Sequence, residues 1–243
     1  YQFAWNTYCD WYLEFVKPLL NGHDELAKAE TRATAAWALE QILHLLHPFM
    51  PFVTEELWRQ MEGTRSTPLI LSDWPAYAGL PVDAEAGAEM DWVVRLISAV
   101  RTTRAEMNVP AGAKIDMRLL QAGGASKLRL ERHMEAILRL ARLEQVTLDG
   151  GVPQGAVQIV FDEAMLVLPL AGVIDLEQER ARLARELGKV TEEMHKIEAK
   201  LGNQNFVAKA PEEVIEENRE RLADFSQTRE RVQQALGRLT GGR

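Results

Sequence analysis

Apolar positions follow a helical period over the first hundred residues, alternate over short runs in the middle of the chain, and end in a seven-residue repeat. Residues 1–20 read as one helix. Trp5, Cys9, Tyr12 and Val16 recur along one face, and Tyr8, Trp11 and Phe15 form a second. Gln2, Asn6, Asp10, Glu14 and Lys17 leave only a narrow polar stripe, so this helix is expected to be enclosed on several sides, as in a bundle. Asn21-Gly22 ends it. A second helix spans 24–47, with Leu26, Ala33, Ala36, Trp37, Ile42, Leu43, Leu45 and Leu46 on its expected buried side. It breaks at His47-Pro48, because proline removes an N–H and disfavours helix just before it. A third helix, 52–62, restarts after Pro51. A loop through Ser72-Asp73-Trp74-Pro75 leads to a fourth helix at 84–107.

The period then changes. Residues 114–121 read as a strand, 127–142 as a helix, and 144–148, 156–161 and 164–169 as strands, with Gly123-Gly124, Gly150-Gly151 and Gly155 marking turns. From Ile174 the chain is helical again. Leu176, Leu183, Val190 and Ile197 repeat every seven residues, interleaved with Leu187, Met194 and Leu201. After an interruption at Gly202–Asn205, Ile215, Leu222 and Leu236 run with Phe225, Val232 and Leu239. The short connection makes these two series an antiparallel coiled-coil hairpin. Setting Leu201 against Ile215 and Leu176 against Leu239 brings Glu193 near Arg221 and Glu198 near Arg219. Arg180 and Arg229 fall on the seam and should weaken it. An arm of about 25 residues projects roughly 40 Å. The fold class is thus mainly α: a helical bundle over 1–110, a small α/β unit over 111–173, and the hairpin over 174–243.

Composition narrows the function classes. The 243 residues are 47% hydrophobic and 26% charged, with no apolar run long enough to span a membrane and no signal peptide, so a cytoplasmic protein is expected. Cys9, the single cysteine, excludes an internal disulfide and a cysteine-based zinc site. His23, His44, His47, His133 and His195 show no metal-ligand grouping. Net charge is −8, so any nucleic-acid binding must use local basic patches on an acidic body. No Ser/His/Asp or Cys/His set and no Gly-rich phosphate loop is visible. The chain starts at Tyr1 with residues that read as mid-helix, so a preceding portion is expected.

Three runs carry a resemblance. Trp5 to Glu14 (WNTYCDWYLE) resembles the helix that opens the anticodon-binding bundle of class I aminoacyl-tRNA synthetases. Leu46 to Trp58 (LHPFMPFVTEELW) resembles a bundle signature of the valine, isoleucine and leucine enzymes. Leu201 to Pro211 (LGNQNFVAKAP) resembles the tip of the coiled-coil arm of the valine enzymes. Together they cover nearly the whole chain and imply tRNA binding, with valine tRNA as the partner. The family's adenylate-forming and editing motifs are absent, so no catalytic residue and no cofactor belongs to this chain. ATP and Mg belong to the longer parent, whose catalytic and editing domains lie in cis. A monomer is expected, with neither a membrane nor DNA as partner. The equivalent part of an isoleucine or leucine enzyme, or a protein-interaction module with a coiled-coil arm, are the competing readings.

Candidate residues follow from the physics of RNA reading. Aromatics stack on unpaired bases, and RNA sequence is read mostly in single-stranded loops. Tyr8 and Trp74 are the candidates for the anticodon, with Asn6, and Asp10 beside it, able to read base edges. The competing roles are core packing for the aromatics, which suits Trp5, Trp11 and Trp37 better, and helix-packing hydrogen bonds for the polar pair. In the arm, Arg182, Lys189 and Lys196 recur every seven residues, Arg185 extends the stripe, and Glu179, Glu186 and Glu193 line the seam. The resemblance implies that this ridge lies on backbone phosphates of the tRNA elbow. On the 127–142 helix, Arg129, Arg132, Arg139 and Arg142 share one face and offer a second phosphate surface. For each cation the alternative is an ordinary solvated or ion-paired face.

Overall fold

The computed structural model describes residues 1–61, 67–80, 82–148 and 150–240, arranged as two compact units, Tyr1–Gly87 and Ala88–Arg243. Glu62, at the end of the expected third helix, and the last three residues of the arm lie outside the described residues.

The first unit is helical. Its opening helix is π-wound over Phe3–Tyr12 and continues as α1, Leu13–Asn21. The aromatic spacing orders its rings: Tyr8 stacks on Tyr12 at 5.5 Å and Trp11 on Phe15 at 5.9 Å between centroids. Such pairs, four apart, are neighbours on a helix surface. Asp24 caps α2 (Glu25–Leu46), accepting from the N–H groups of Leu26 and Ala27 at 3.0 Å. Helix α3 (Pro51–Met61) starts on Pro51, whose missing N–H costs nothing at a first helical position. A 3₁₀ turn, Leu69–Leu71, follows.

Less of this unit is enclosed than the sequence period implies. Tyr8, Val16, Ile42, Leu43, Trp58 and Leu69 are buried, whereas Trp5, Leu26, Trp37 and Leu45 are exposed. The core roles expected for Trp5 and Trp37 are therefore corrected. An apolar stripe shows which face of a helix is greasy, and not whether the chain itself supplies a cover.

The second unit is built on α4 (Ala84–Glu106), whose body runs into it, and a four-stranded sheet. Strands β1 (Ile115–Leu120), β2 (Leu143–Thr147), β3 (Ala156–Phe161) and β4 (Ala164–Pro169) lie in the order β2-β1-β4-β3. β1 and β2 are parallel, with α5 (Gly124–Arg132) and α6 (Met134–Ala141) between them in sequence; β4 is antiparallel to both its neighbours. Trp92, Val93, Leu96, Ile97 and Val100 of α4 are almost completely buried, and Trp92 meets Phe161 edge-on at 5.5 Å. Burying the buried face of α4 supplies the hydrophobic driving force here, at about 1.5–3 kcal/mol per large side chain.

Polar side chains tie α4 to its surroundings. Buried Arg104 donates to the carbonyls of Arg142, Pro110 and Ala113, which stitches the α4–β1 connection together. Arg95 donates to both carboxylate oxygens of Asp162, at 2.7 and 3.0 Å, in the β3–β4 turn.

The hairpin follows as α7 (Leu176–Gly202), a short α8 (Gln204–Val207) and α9 (Glu212–Thr240). Leu183, Val190, Met194 and Ile197 bury one side of the seam, with Asn218, Val232 and Ala235 opposite. Arg180 donates to the Leu239 carbonyl, and the charge of Arg221 acts on Glu193, so the two helices run antiparallel in the expected register. Nε of Arg180 and Nε of Arg229 are buried without a hydrogen-bond partner.

Candidate nucleic-acid interface

In the first unit the loop after α3 is built from the signature run outward. The Glu55 carboxylate accepts from the N–H of Leu69 at 2.9 Å and of Ile70 at 3.2 Å, satisfying two donors of the 3₁₀ turn. Trp58 Nε1 donates to the Thr67 carbonyl at 3.2 Å. His44, edge-on to Trp58, reaches Ser72 Oγ at 3.1 Å. Leu69 is 3% exposed and plugs between Leu43 and Trp58. The loop is thus pinned at Thr67, Leu69, Ile70 and Ser72, and apolar side chains stand out from it: Ile70 and Leu71 between the pins and, at 61% exposure, Trp74 just beyond them.

Tyr8 behaves differently. It is 7% exposed and its hydroxyl donates to the Ala35 carbonyl at 2.9 Å. Burial, together with neighbouring Tyr12 and Cys9, raises its phenol above the ordinary value. A ring held in this way offers no free face to a base, so Tyr8 joins the packing of the opening helix on α2, and its expected stacking role is corrected. Asn6 and Asp10, on the same helix, are exposed.

On the hairpin the expected basic ridge divides in two. Arg182 is not free. It donates to Glu179 at 2.9 Å, to Glu186 at 2.7 Å and to the Glu106 carbonyl at 3.3 Å, and the Glu179 bond holds its guanidinium protonated more firmly still. Its side chain is an anchor to the end of α4. Arg185, Lys189 and Lys196 lie further along and are exposed. Lys196 bonds Glu192 and Glu193, both at 2.8 Å, which raises its pKa. Among the described residues, Lys189 has no ion-pair partner.

The arginines of the small α/β unit do not share one face. The expected 127–142 helix breaks at His133 (φ −108°, ψ 14°), separating Arg129 and Arg132 on α5 from Arg139 on α6, while Arg142 adopts a left-handed conformation at the end of α6. Arg132 and His133 both bond Glu89, at 3.1 and 2.8 Å, and Arg142 donates to the Ala111 carbonyl.

Sequence reasoning missed Ile70, Leu71 and the residues that hold their turn. Periodicity is silent there, since the donors are backbone N–H groups and the acceptor is fourteen residues away. The described residues include no group of three or more His, Cys, Asp or Glu able to hold a metal, and no helix long and apolar enough to cross a membrane.

Comparison with known proteins supplies the context for both surfaces. Residues 1–119 match the anticodon-binding domain of tRNA ligases, and residues 175–240 match the valyl-tRNA synthetase tRNA binding arm. The first match takes in α4, which packs with the second unit, so the sequence family and the compact unit have different limits. The chain is 49% identical to the valine–tRNA ligase of Brucella suis over 98% of its own length and 26% of the relative's. The ligase of Caulobacter vibrioides is 48% identical over 98% of this chain and 27% of its own length, and that of Agrobacterium fabrum 45% over 99% and 25%. The chain therefore spans about a quarter of the curated relatives it matches. With an anticodon-binding match at one end and a match to the valine arm at the other, the chain belongs to the valyl-tRNA synthetase family.

Proposed function

We propose that this chain is the tRNA-recognition part of a valine–tRNA ligase. The helical unit takes the anticodon loop, with Trp74 as a stacking platform and Asn6 as a polar reader, and the hairpin lays Arg185, Lys189 and Lys196 along backbone phosphates of the tRNA elbow. The observation that carries this reading is the pairing, in one chain, of an anticodon-binding match with an arm match. Two further facts support it: Trp74 is exposed on a pinned loop, and the arm helices, 27 and 29 residues long, reach roughly 40 Å. Backbone contacts of the second kind position an RNA without reading its sequence, whereas stacking and base-edge contacts distinguish one anticodon from another. Arg132, spent on Glu89, and Arg182, spent at the arm base, are left with structural work. Arg129 and Arg139 have a secondary place at most.

On this reading the intact polypeptide is a cytoplasmic monomer that uses ATP and Mg in domains supplied in cis, and adds valine to the RNA held here. Footprinting tests the assignment. An unmodified valine-tRNA transcript bound by the chain is expected to be protected at the anticodon loop and at the elbow. Protection at neither would return the hairpin to the competing role of a protein-docking arm.

A further inference from the structure

The first unit contains a polar device that neither family match assigns to any residue. Glu55 sits on the inward side of α3, and each of its carboxylate oxygens takes one backbone N–H of the Leu69–Leu71 turn. A carboxylate is suited to this because it is acceptor-only and can meet two convergent donors at once. Without it, the N–H of buried Leu69 would lose its acceptor. The same turn is braced from α2 by His44 through Ser72 Oγ, and from α3 by Trp58 through the Thr67 carbonyl. Ser72 in turn donates to the Leu69 carbonyl at 2.6 Å, closing the turn two residues before Trp74. Three side chains from two helices therefore fix four loop positions between Thr67 and Ser72, while the large apolar side chains among and beside them are left to solvent. Exposed apolar groups on a braced backbone are what a preformed contact surface requires, since ordering the loop in advance lowers the entropic cost of binding.

We infer that Glu55 is a positioning residue for RNA binding: by holding the Leu69–Leu71 turn it sets the place of Trp74, without touching the RNA itself. This rests on the proposed anticodon role of Trp74. Glu55→Gln is the informative change, because it keeps the shape of the side chain but replaces one acceptor with an NH₂ group that faces an N–H.

The test combines two readouts on the full chain. The first is hydrogen exchange. Glu55→Gln is expected to speed exchange of the Leu69 and Ile70 amides by roughly tenfold, the loss of about one hydrogen bond, while amides in α2 and α3 keep their protection. The second is binding of an unmodified valine-tRNA transcript by wild type, Glu55→Gln, Trp74→Ala and the double variant. Glu55→Gln is expected to weaken binding roughly 3- to 10-fold, and to add nothing once Trp74 is gone. Wild-type binding by Glu55→Gln, or an effect that multiplies with that of Trp74→Ala, overturns the inference while leaving the role of Trp74 standing. Unchanged binding by Trp74→Ala overturns both. Faster exchange throughout α2 and α3 would assign Glu55 to general stability and overturn the positioning role.

Discussion

Arg238, near the end of the hairpin, forms an ion pair with Glu106, at the end of α4 and 132 residues earlier in the chain. Arg182 reaches the main-chain carbonyl of the same Glu106. One residue of α4 thus receives a guanidinium from each helix of the arm, and both partners are half-buried or better, where a charge pair is worth more than at an open surface. The base of the arm is fixed by chemistry that heptad analysis does not reveal, since heptads report only how two helices meet each other.

Glu106→Gln is expected to loosen this attachment. The hairpin keeps its seam, so its helicity is retained, but exchange of amides around Arg238 in the last turns of α9 accelerates and the melting temperature falls. The loss is about 1–3 kcal/mol, because the Arg238 guanidinium loses its charged partner while the Arg182 bond to the main-chain carbonyl remains. Thermal unfolding followed by circular dichroism, with hydrogen exchange to locate the change, checks this.

Arg229→Leu is expected to act in the opposite direction. Its Nε is buried on the seam with no partner, so an apolar side chain of similar reach removes an unsatisfied donor and adds contact. A gain of about 1 kcal/mol is expected, seen as a rise in the melting temperature. A fall of that size would show that the Arg229 side chain is satisfied elsewhere in solution.

Tyr8→Phe and Trp74→Ala separate packing from recognition. Tyr8→Phe loses the bond to Ala35 and is expected to cost about 0.5–1.5 kcal/mol of stability with tRNA affinity unchanged. Trp74→Ala is expected to leave melting nearly unaltered and to cost about 1–3 kcal/mol of binding. Melting curves and binding isotherms on the same two proteins decide it.

Acid is expected to release α5 from α4. The Glu89 carboxyl is held below its ordinary value by the hydrogen bond from His133, and by the charges of Arg132 and His133. A folded-state pKa that is depressed contributes stability that is present above the unfolded value, about 4.3, and lost as pH falls through the folded one. The difference in melting temperature between wild type and Glu89→Gln is therefore expected at neutral pH, to shrink as pH falls below about 4.3, and to vanish only below the depressed folded-state value. A difference that does not shrink at all as pH falls through the carboxylate range would assign the role to shape and not charge.

How much of this was legible follows the physics of each element. The strands at 156–161 and 164–169, the prolines that end α2 and open α3 and the hairpin register were all readable, because local propensity, turn residues and the seven-residue repeat agreed there. Tyr8 was misread as a platform because a ring on a helix looks the same in sequence whether its hydroxyl meets a carbonyl of α2 or a base. Arg182 was placed on the ridge because it shares a heptad position with Lys189 and Lys196; only the end of α4, distant in sequence, distinguishes them. The arginine face of 127–142 failed for a similar reason, since neither the break at His133 nor the hold of Glu89 on Arg132 and His133 leaves a mark on the period. Trp74 stood out because a tryptophan beside a proline in a loop has no helix face to fill.

The direct measurement is a titration of the chain with an unmodified valine-tRNA transcript, and with the same transcript carrying another anticodon, across a range of salt. Wild type is expected to prefer the valine anticodon at every salt concentration. The variant carrying Arg185→Glu, Lys189→Glu and Lys196→Glu is expected to bind both transcripts more weakly in equal proportion, with a flatter salt dependence and the same preference. A chain that binds neither transcript, or binds both alike, would contradict the account of the helical unit. Unaltered affinity in the folded triple variant would contradict the account of the arm.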